Sequence, residues 1–305
     1  MRAPDIRKQQ SVNKKNMSTL IPELEMMLEV PAAPQAKTIS LHNTDLNAPY
    51  VGGNFDFNYN AGASEATITL NTFLSWRKNF TPAEKRDFRN AMADAIAVWD
   101  NAAQVQLKDG TGGFNKLINL RFKLNFVQDR GQANKVTDVH ETNDRAVWFT
   151  PYRNREMVVR EINVFIGTDK DTFVHELGHV WGNLDEYDAG FLENHFSPGH
   201  VASDSPYIKD KDSIMNIGRE FRTRFFTHFG RAIAPAFWDL PGFVQPNVYN
   251  GKTVSRSIMG RIVLLKEDIA GNAPGAPGSP GAPGAPGSTS DPLNPPFTSF
   301  QVTRR

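Results

Sequence analysis

The residues best suited to chemistry sit in one short run, His175-Glu176-Leu177-Gly178-His179-Val180-Trp181-Gly182-Asn183-Leu184-Asp185. A helix turns about 100° and rises about 1.5 Å per residue, so His175 and His179 would share a face, one turn apart. Two imidazoles placed that way can converge on one ion at about 2.0–2.1 Å, which suits Zn²⁺. Glu176 follows its histidine by one step and would point beside the ion. That place suits a general base toward metal-bound water. Gly178 keeps the face open. Gly182 can end the helix and turn the chain, since glycine tolerates positive φ. Asp185 could then swing back as a third ligand. Its longer neighbour Glu186 competes for that role, and the six-residue step from His179 favours Asp185.

Two neutral imidazoles and one carboxylate would leave a net +1 on zinc, with the fourth position open to water. Glu176 would take a proton from that water and pass it to the amine leaving a hydrolysed peptide bond. A carboxylate ligand makes zinc a weaker Lewis acid than three histidines would, but still a sufficient one.

Composition narrows the alternatives. The 305 residues include no cysteine, which excludes disulfides, thiolate metal sites and cysteine nucleophiles. Any metal must be held by His, Asp, Glu or carbonyl oxygen. Lys plus Arg number 34 against 33 Asp plus Glu, so no nucleic-acid partner is expected. No window of about 18 apolar residues is present, and no membrane span is expected.

The elements that must position these residues can be read from patterning. Ala66 to Leu70 alternates as a strand. Thr81-Pro82-Ala83-Glu84 is a capping box with proline at the first helical position. Phe88, Ala91, Met92, Ala95, Ile96 and Trp99 follow at three- and four-residue steps, predicting a helix to about Val105. Leu117 to Phe126, Ala146 to Thr150 and Met157 to Ile166 read as further strands. The helix carrying the histidines opens after Gly167-Thr168, capped by Asp169 or Asp171. Residues 182–212 show no period and read as a long irregular loop. A third helix is predicted from Arg219 to about Ile233. Residues 31–60, rich in Pro, Asn and Gly, read as linker.

Downstream of the loop stands Asp212-Ser213-Ile214-Met215-Asn216. HExxHxxGxxD followed by an S-x-M turn resembles the metzincin clan of zinc metallopeptidases, in the minority whose third ligand is Asp. The strict match covers about Val174 to Gly218, and the order of strand, long helix, strands and active helix is similar. The resemblance implies an α/β (α+β) catalytic domain with a mixed twisted sheet, a long helix and an active-site helix. It implies His175, His179 and Asp185 as ligands to one catalytic Zn²⁺, Glu176 as general base and Met215 as the hydrophobic floor. That turn often carries Tyr two residues after its Met, and here Ile217 stands there. Tyr187 and His228 are the candidates for transition-state or substrate contact. His195 and His200, in the loop, are candidate supporting groups. Asp204, Asp210 and Asp212 lack the spacing of a Ca²⁺ loop and read as solvated surface.

The ends differ from the body. Basic residues Arg2, Arg7, Lys8, Lys14 and Lys15 precede no apolar signal region, because Leu20 to Val30 contains Glu23, Glu25 and Glu29. Gly275, Gly278, Gly281, Gly284 and Gly287, each preceded by Pro, form a short collagen-like run. It is too short for a stable triple helix and reads as a polyproline-II spacer. The expected organisation is a flexible extension over 1–53, a metallopeptidase-like domain over 54–270, and a spacer and tail over 271–305. The expected substrate is a protein or peptide. Without an ordinary signal peptide, the chain reads as an exported bacterial toxin or effector served by a delivery or secretion apparatus, and otherwise as cytoplasmic. The rival expectation is a non-catalytic, zinc-containing component of a secretion or phage-like particle. A further rival is a zinc hydrolase acting on a non-protein amide.

Overall fold

A computed structural model describes residues 38–44, 46, 54–109, 115–141, 147–149, 161–190, 200–237, 248–249, 252–253, 257–270 and 298–303. The segment Leu20 to Val30, His195 and the Gly-Pro run lie outside them.

Ten strands form one open mixed sheet. They are β1 (Thr38–Thr44), β2 (Phe55–Asn60), β3 (Glu65–Trp76), β4 (Ala103–Asp109), β5 (Asn115–Phe126), β6 (Lys135–His140), β7 (Val147–Phe149), β8 (Glu161–Phe165), and, after a two-residue hairpin β9 (Val248–Tyr249) and β10 (Lys252–Thr253), β11 (Ser257–Leu264) and β12 (Thr298–Thr303). Across the sheet the order is β12-β11-β4-β5-β3-β6-β8-β7, with β2 also on β3 and β1 outside β2. Among the described residues the α-helices are α1 (Pro82–Trp99), α2 (Lys170–Val180) and α3 (Thr227–Ile233). The fold is therefore the mixed α/β class that the patterning predicts. No helix among the described residues is long and apolar enough to cross a membrane.

β3 is the spine. Its residues 65–72 pair in parallel with β5, and residues 72–76 pair in parallel with β6. β2 lies antiparallel along residues 66–69. Where β2 gives way to β6, Asp56 accepts hydrogen bonds from the Asn71 and Asn134 side chains, both at 2.8 Å. Ala66, Ile68, Leu70 and Leu74 turn inward from β3, as alternation requires.

The helices share one face of the sheet, meeting at Phe122 of β5. Trp99, Trp181 and Phe229 all lie against that ring, with centroids 5.9, 5.1 and 5.5 Å away. The capping box is formed: Thr81 accepts from the Glu84 N–H at 3.2 Å, and Glu84 accepts from the Thr81 N–H at 2.7 Å.

Several expectations need correction. Residues 31–60 include β1 and β2 rather than only linker. In β2 the Asn-rich composition hid strict alternation, with Phe55, Phe57 and Tyr59 all buried. The first helix stops at Trp99, because Asp100 is extended and Asn101 has φ 54°. The chain then enters β4, whose Ala103, Val105 and Leu107 are fully buried. β6 was not anticipated because its KVTDVH sequence is half polar, yet Lys135, Thr137 and Asp138 are buried in it. β11 and β12 also carried no clear signal, and β12 falls inside the stretch read as tail. The third helix is only Thr227–Ile233, preceded by a 3₁₀ turn at Thr223–Phe226.

α1 ends without a basic residue in its last turn. Its free carbonyls are met instead by Lys266, just after β11, whose ammonium donates to the carbonyls of Ala97, Val98 and Asp100 at 3.1, 3.0 and 2.7 Å. A cation there also opposes the helix dipole. Lys266→Met should therefore lower unfolding free energy by about 1–2 kcal/mol, measured by urea denaturation.

Candidate metal centre

α2 leaves the sheet directly from β8. Thr168 closes the turn onto Phe165, and Asp169, rather than Asp171, caps the helix by accepting from the Thr172 N–H at 2.9 Å. The helix is held from its buried side. The Trp99 indole donates to the Val174 carbonyl at 2.9 Å, and Phe173 meets Phe88 edge-on.

Gly182 takes φ 95° and ends α2. The Asn183 N–H returns to the Gly178 carbonyl at 3.0 Å and the Gly182 N–H to the His179 carbonyl at 2.9 Å. This pair of bonds is a Schellman motif, and its left-handed residue explains glycine at 182. Three residues after that glycine, Asp185 faces the helix it has just left. Its Oδ1 lies 3.0 Å from His175 Nε2 and 3.2 Å from His179 Nε2. The three side chains offer donor atoms all within 4.8 Å of one another and can hold a metal ion.

The other ring nitrogens decide whether that donor set fits. His175 Nδ1 donates to the Ile214 carbonyl at 2.7 Å, and His179 Nδ1 donates to the Asn183 carbonyl at 2.8 Å. With Nδ1–H committed to backbone oxygen, each Nε2 is left to present its lone pair toward the shared point. Burial opposes charging His179, but the Asp185 carboxylate outweighs it and raises the ring to about pH 9. For Asp185, burial favours the acid, yet the charge of His179 and the bonds from both rings hold it far below the usual carboxylate range. A divalent cation would take over the charge balance that protons supply between these groups.

Glu176 is 9% exposed, and its Oε2 is buried without a hydrogen-bond partner among the described residues. Burial raises its pKa. Both histidines and Asp185 act on it electrostatically, which places its charge beside theirs.

The Glu186 carboxylate is taken elsewhere. It accepts from Ser213 Oγ at 2.6 Å and from Arg224 at 2.7 and 2.6 Å, so Asp185 alone turns to the histidines. Met215 is fully buried beneath α2. A Cβ on Gly178 would lie 2.2 Å from its sulfur, so the glycine is required by this contact as well as keeping the face open. Tyr187 also reaches the centre: its hydroxyl donates to Asp185 Oδ2 at 3.3 Å. His200 joins it, with its ring 5.0 Å from that of Tyr187 and its Nε2 3.8 Å from Asp185 Oδ2. A backbone bond from the Val201 N–H to the Asp185 carbonyl fixes His200 there.

His228 does not join them. Its described contacts are with the Trp181 backbone and the Phe229 ring, 4.0 Å away. Asp210, read as solvated surface, is instead buried between Arg222 and Arg224. These arginines had no recognisable motif. Only Ser213, two residues before Met215, was flagged by the sequence.

No family model matches this chain, and no curated protein does. Among solved structures, myroilysin is similar at 15% identity and a TM-score of 0.27, covering 51% of this chain and 79% of that one. A chaperone–substrate complex is similar at 14% identity and a TM-score of 0.23, covering 45% and 27%.

Gly178→Ala should drive Met215 from its seat and lower stability by about 1–3 kcal/mol. Adding Met215→Ala should cost less than the sum of the two single changes, measured by thermal unfolding. His228 yields a pH prediction. Burial lowers its pKa to about 3, so the folded chain keeps it neutral while the unfolded chain protonates it below about pH 6.5. Stability should therefore fall as pH drops from about 6.5 toward 3. His228→Asn, which retains a donor for the Trp181 carbonyl, should flatten that decline by up to about 1.4 kcal/mol per pH unit in denaturation at stepped pH.

Proposed function

We propose that this chain is a zinc-dependent endopeptidase in which Glu176 is the general base. The observation that carries the reading is a buried carboxylate with one unpartnered oxygen, set among three converging donors whose tautomers are fixed from behind.

His175, His179 and Asp185 would hold the ion. Zinc, when bound, would supply Lewis acidity toward a peptide carbonyl and toward water. The protein's own part is proton movement and alignment. Glu176 has its pKa raised by burial, so it can accept a proton from the attacking water and return it to the leaving amine. The Ile214 and Asn183 carbonyls keep both imidazoles aimed through Nε2. Tyr187, tied to Asp185, would be the hydroxyl best placed to meet an oxyanion, the role for which His228 was the other candidate.

The base separates this reading from a structural zinc site. Folding alone has no use for an unpaired carboxylate in such a place. The test incubates wild-type and Glu176→Ala protein with denatured protein substrates, with and without a chelator. Wild type should cleave, chelation should abolish cleavage, and Glu176→Ala should lose about 10²–10⁴ in rate while still binding zinc. His179→Ala should bind no zinc by metal analysis. Equal cleavage by wild type and Glu176→Ala would reject the reading.

A further inference from the structure

Asp185 has a problem the histidines do not share. α2 fixes their positions, whereas Asp185 lies past the helix end, where loop backbone must be pinned by other means. Its neighbour Glu186 provides the pin. The Glu186 N–H donates to the Met215 carbonyl at 2.7 Å, and the Glu186 carbonyl accepts from the Asn216 side chain at 2.7 Å. Its Oε2 accepts from Ser213 Oγ and from Arg224, while Oε1 accepts a second bond from Arg224. The backbone and carboxylate of this one residue are thus bonded to the Ser213–Asn216 turn and to Arg224. That turn also supplies the Ile214 carbonyl that aims His175, and Met215 beneath Gly178.

Arg224 is fixed in turn. It lies over the Tyr207 ring at 4.3 Å and bonds Asp210 at 2.7 Å. Asp210 takes two further bonds from Arg222, at 2.8 and 2.7 Å. Glu186 and Asp210 against Arg222 and Arg224 are two negative and two positive charges, all four mostly or wholly buried. Such a set is specific because any loss of register leaves a buried charge unpaired.

We infer that Glu186 and Arg224 are positioning residues for the metal centre: their paired carboxylate and guanidinium lock the Asp185 segment to the turn that aims His175. The inference rests on the triad's holding a metal, and it assigns the lock to two side chains, Glu186 and Arg224, whose bonds run to Ser213, to Asp210 and to each other rather than to the three ligand side chains. Shape alone does not suffice for this role. Glu186→Gln keeps the shape but presents an amide N–H to a guanidinium that can only donate.

The test measures zinc affinity of the full chain by competition against a chromophoric chelator, with unfolding temperature followed in parallel. Glu186→Gln and Arg224→Met should each weaken zinc binding about 10- to 100-fold. The double variant should be no weaker than the worse single one, because both changes release the same lock. Arg222→Met is the control: it disturbs the same buried charges through Asp210 but leaves every bond of Glu186 in place. It should lower the unfolding temperature and leave zinc affinity within about twofold of wild type. If either single change fails to give folded protein, Ser213→Ala, which removes one bond to Glu186, should weaken zinc several-fold with the fold intact. Wild-type affinity in folded Glu186→Gln, or an equal loss in Arg222→Met, would overturn the inference. A wild-type chain that binds no zinc would instead remove the metal reading on which it stands.

Discussion

Everything at the centre depends on how the chain reverses at the end of α2. A helix delivers two imidazoles to one face at no extra cost, but it cannot deliver a third donor to the same point. The reversal at Gly182 does so, and the same few atoms do two other things. The Schellman bonds satisfy the last carbonyls of α2, and the next carbonyl, that of Asn183, orients His179. Helix termination, ligand orientation and delivery of Asp185 are therefore one local structure. A residue with a side chain at 182 would strain all three together, because φ there is 95°.

The second constraint comes from beneath. A Cβ at Gly178 would force the Met215 side chain to move, and the turn carrying Met215 also carries the carbonyl that aims His175. Two segments nearly forty residues apart in sequence thus meet at one ring. This gives a physical reason for a buried methionine below a metal centre that does not require sulfur chemistry. A flexible, unbranched side chain fills the space left by a glycine and keeps two backbones at a fixed distance.

How much of this could be read from the residues follows from the range of the interactions. Local patterns were legible: the capping box at Thr81, the apolar face of α1, the alternation of β5, and the run from His175 to Asp185. Each is specified within a few positions. β2 was obscured because Asn residues alternate with its buried aromatics, and the composition suggested linker. β6 was obscured because its inward residues include Lys135, Thr137 and Asp138, whose burial depends on distant neighbours. The Glu186–Arg224 pair is the clearest case. Nothing local distinguishes Arg224 from a surface arginine; its partners lie 38 and 14 positions away, and only the folded chain brings them together. The choice between Asp185 and Glu186 shares this origin, since Glu186 turns away because Arg224 is there to receive it.

Comparison among the buried carboxylates of this region gives the last step. Asp185 is held between two imidazoles, Glu186 has a guanidinium and a hydroxyl, and Asp210 has two guanidiniums. Each has partners that offset the loss of water. Glu176 is also buried, and its Oε2 has no hydrogen-bond partner among the described residues. For folding alone, a neutral or apolar residue at 176 would be favourable, because an unpaired buried carboxylate costs more than it contributes. One carboxylate oxygen left without a partner near three convergent donors, with its affinity for a proton raised by burial, is what supports the proposed base over a purely structural role.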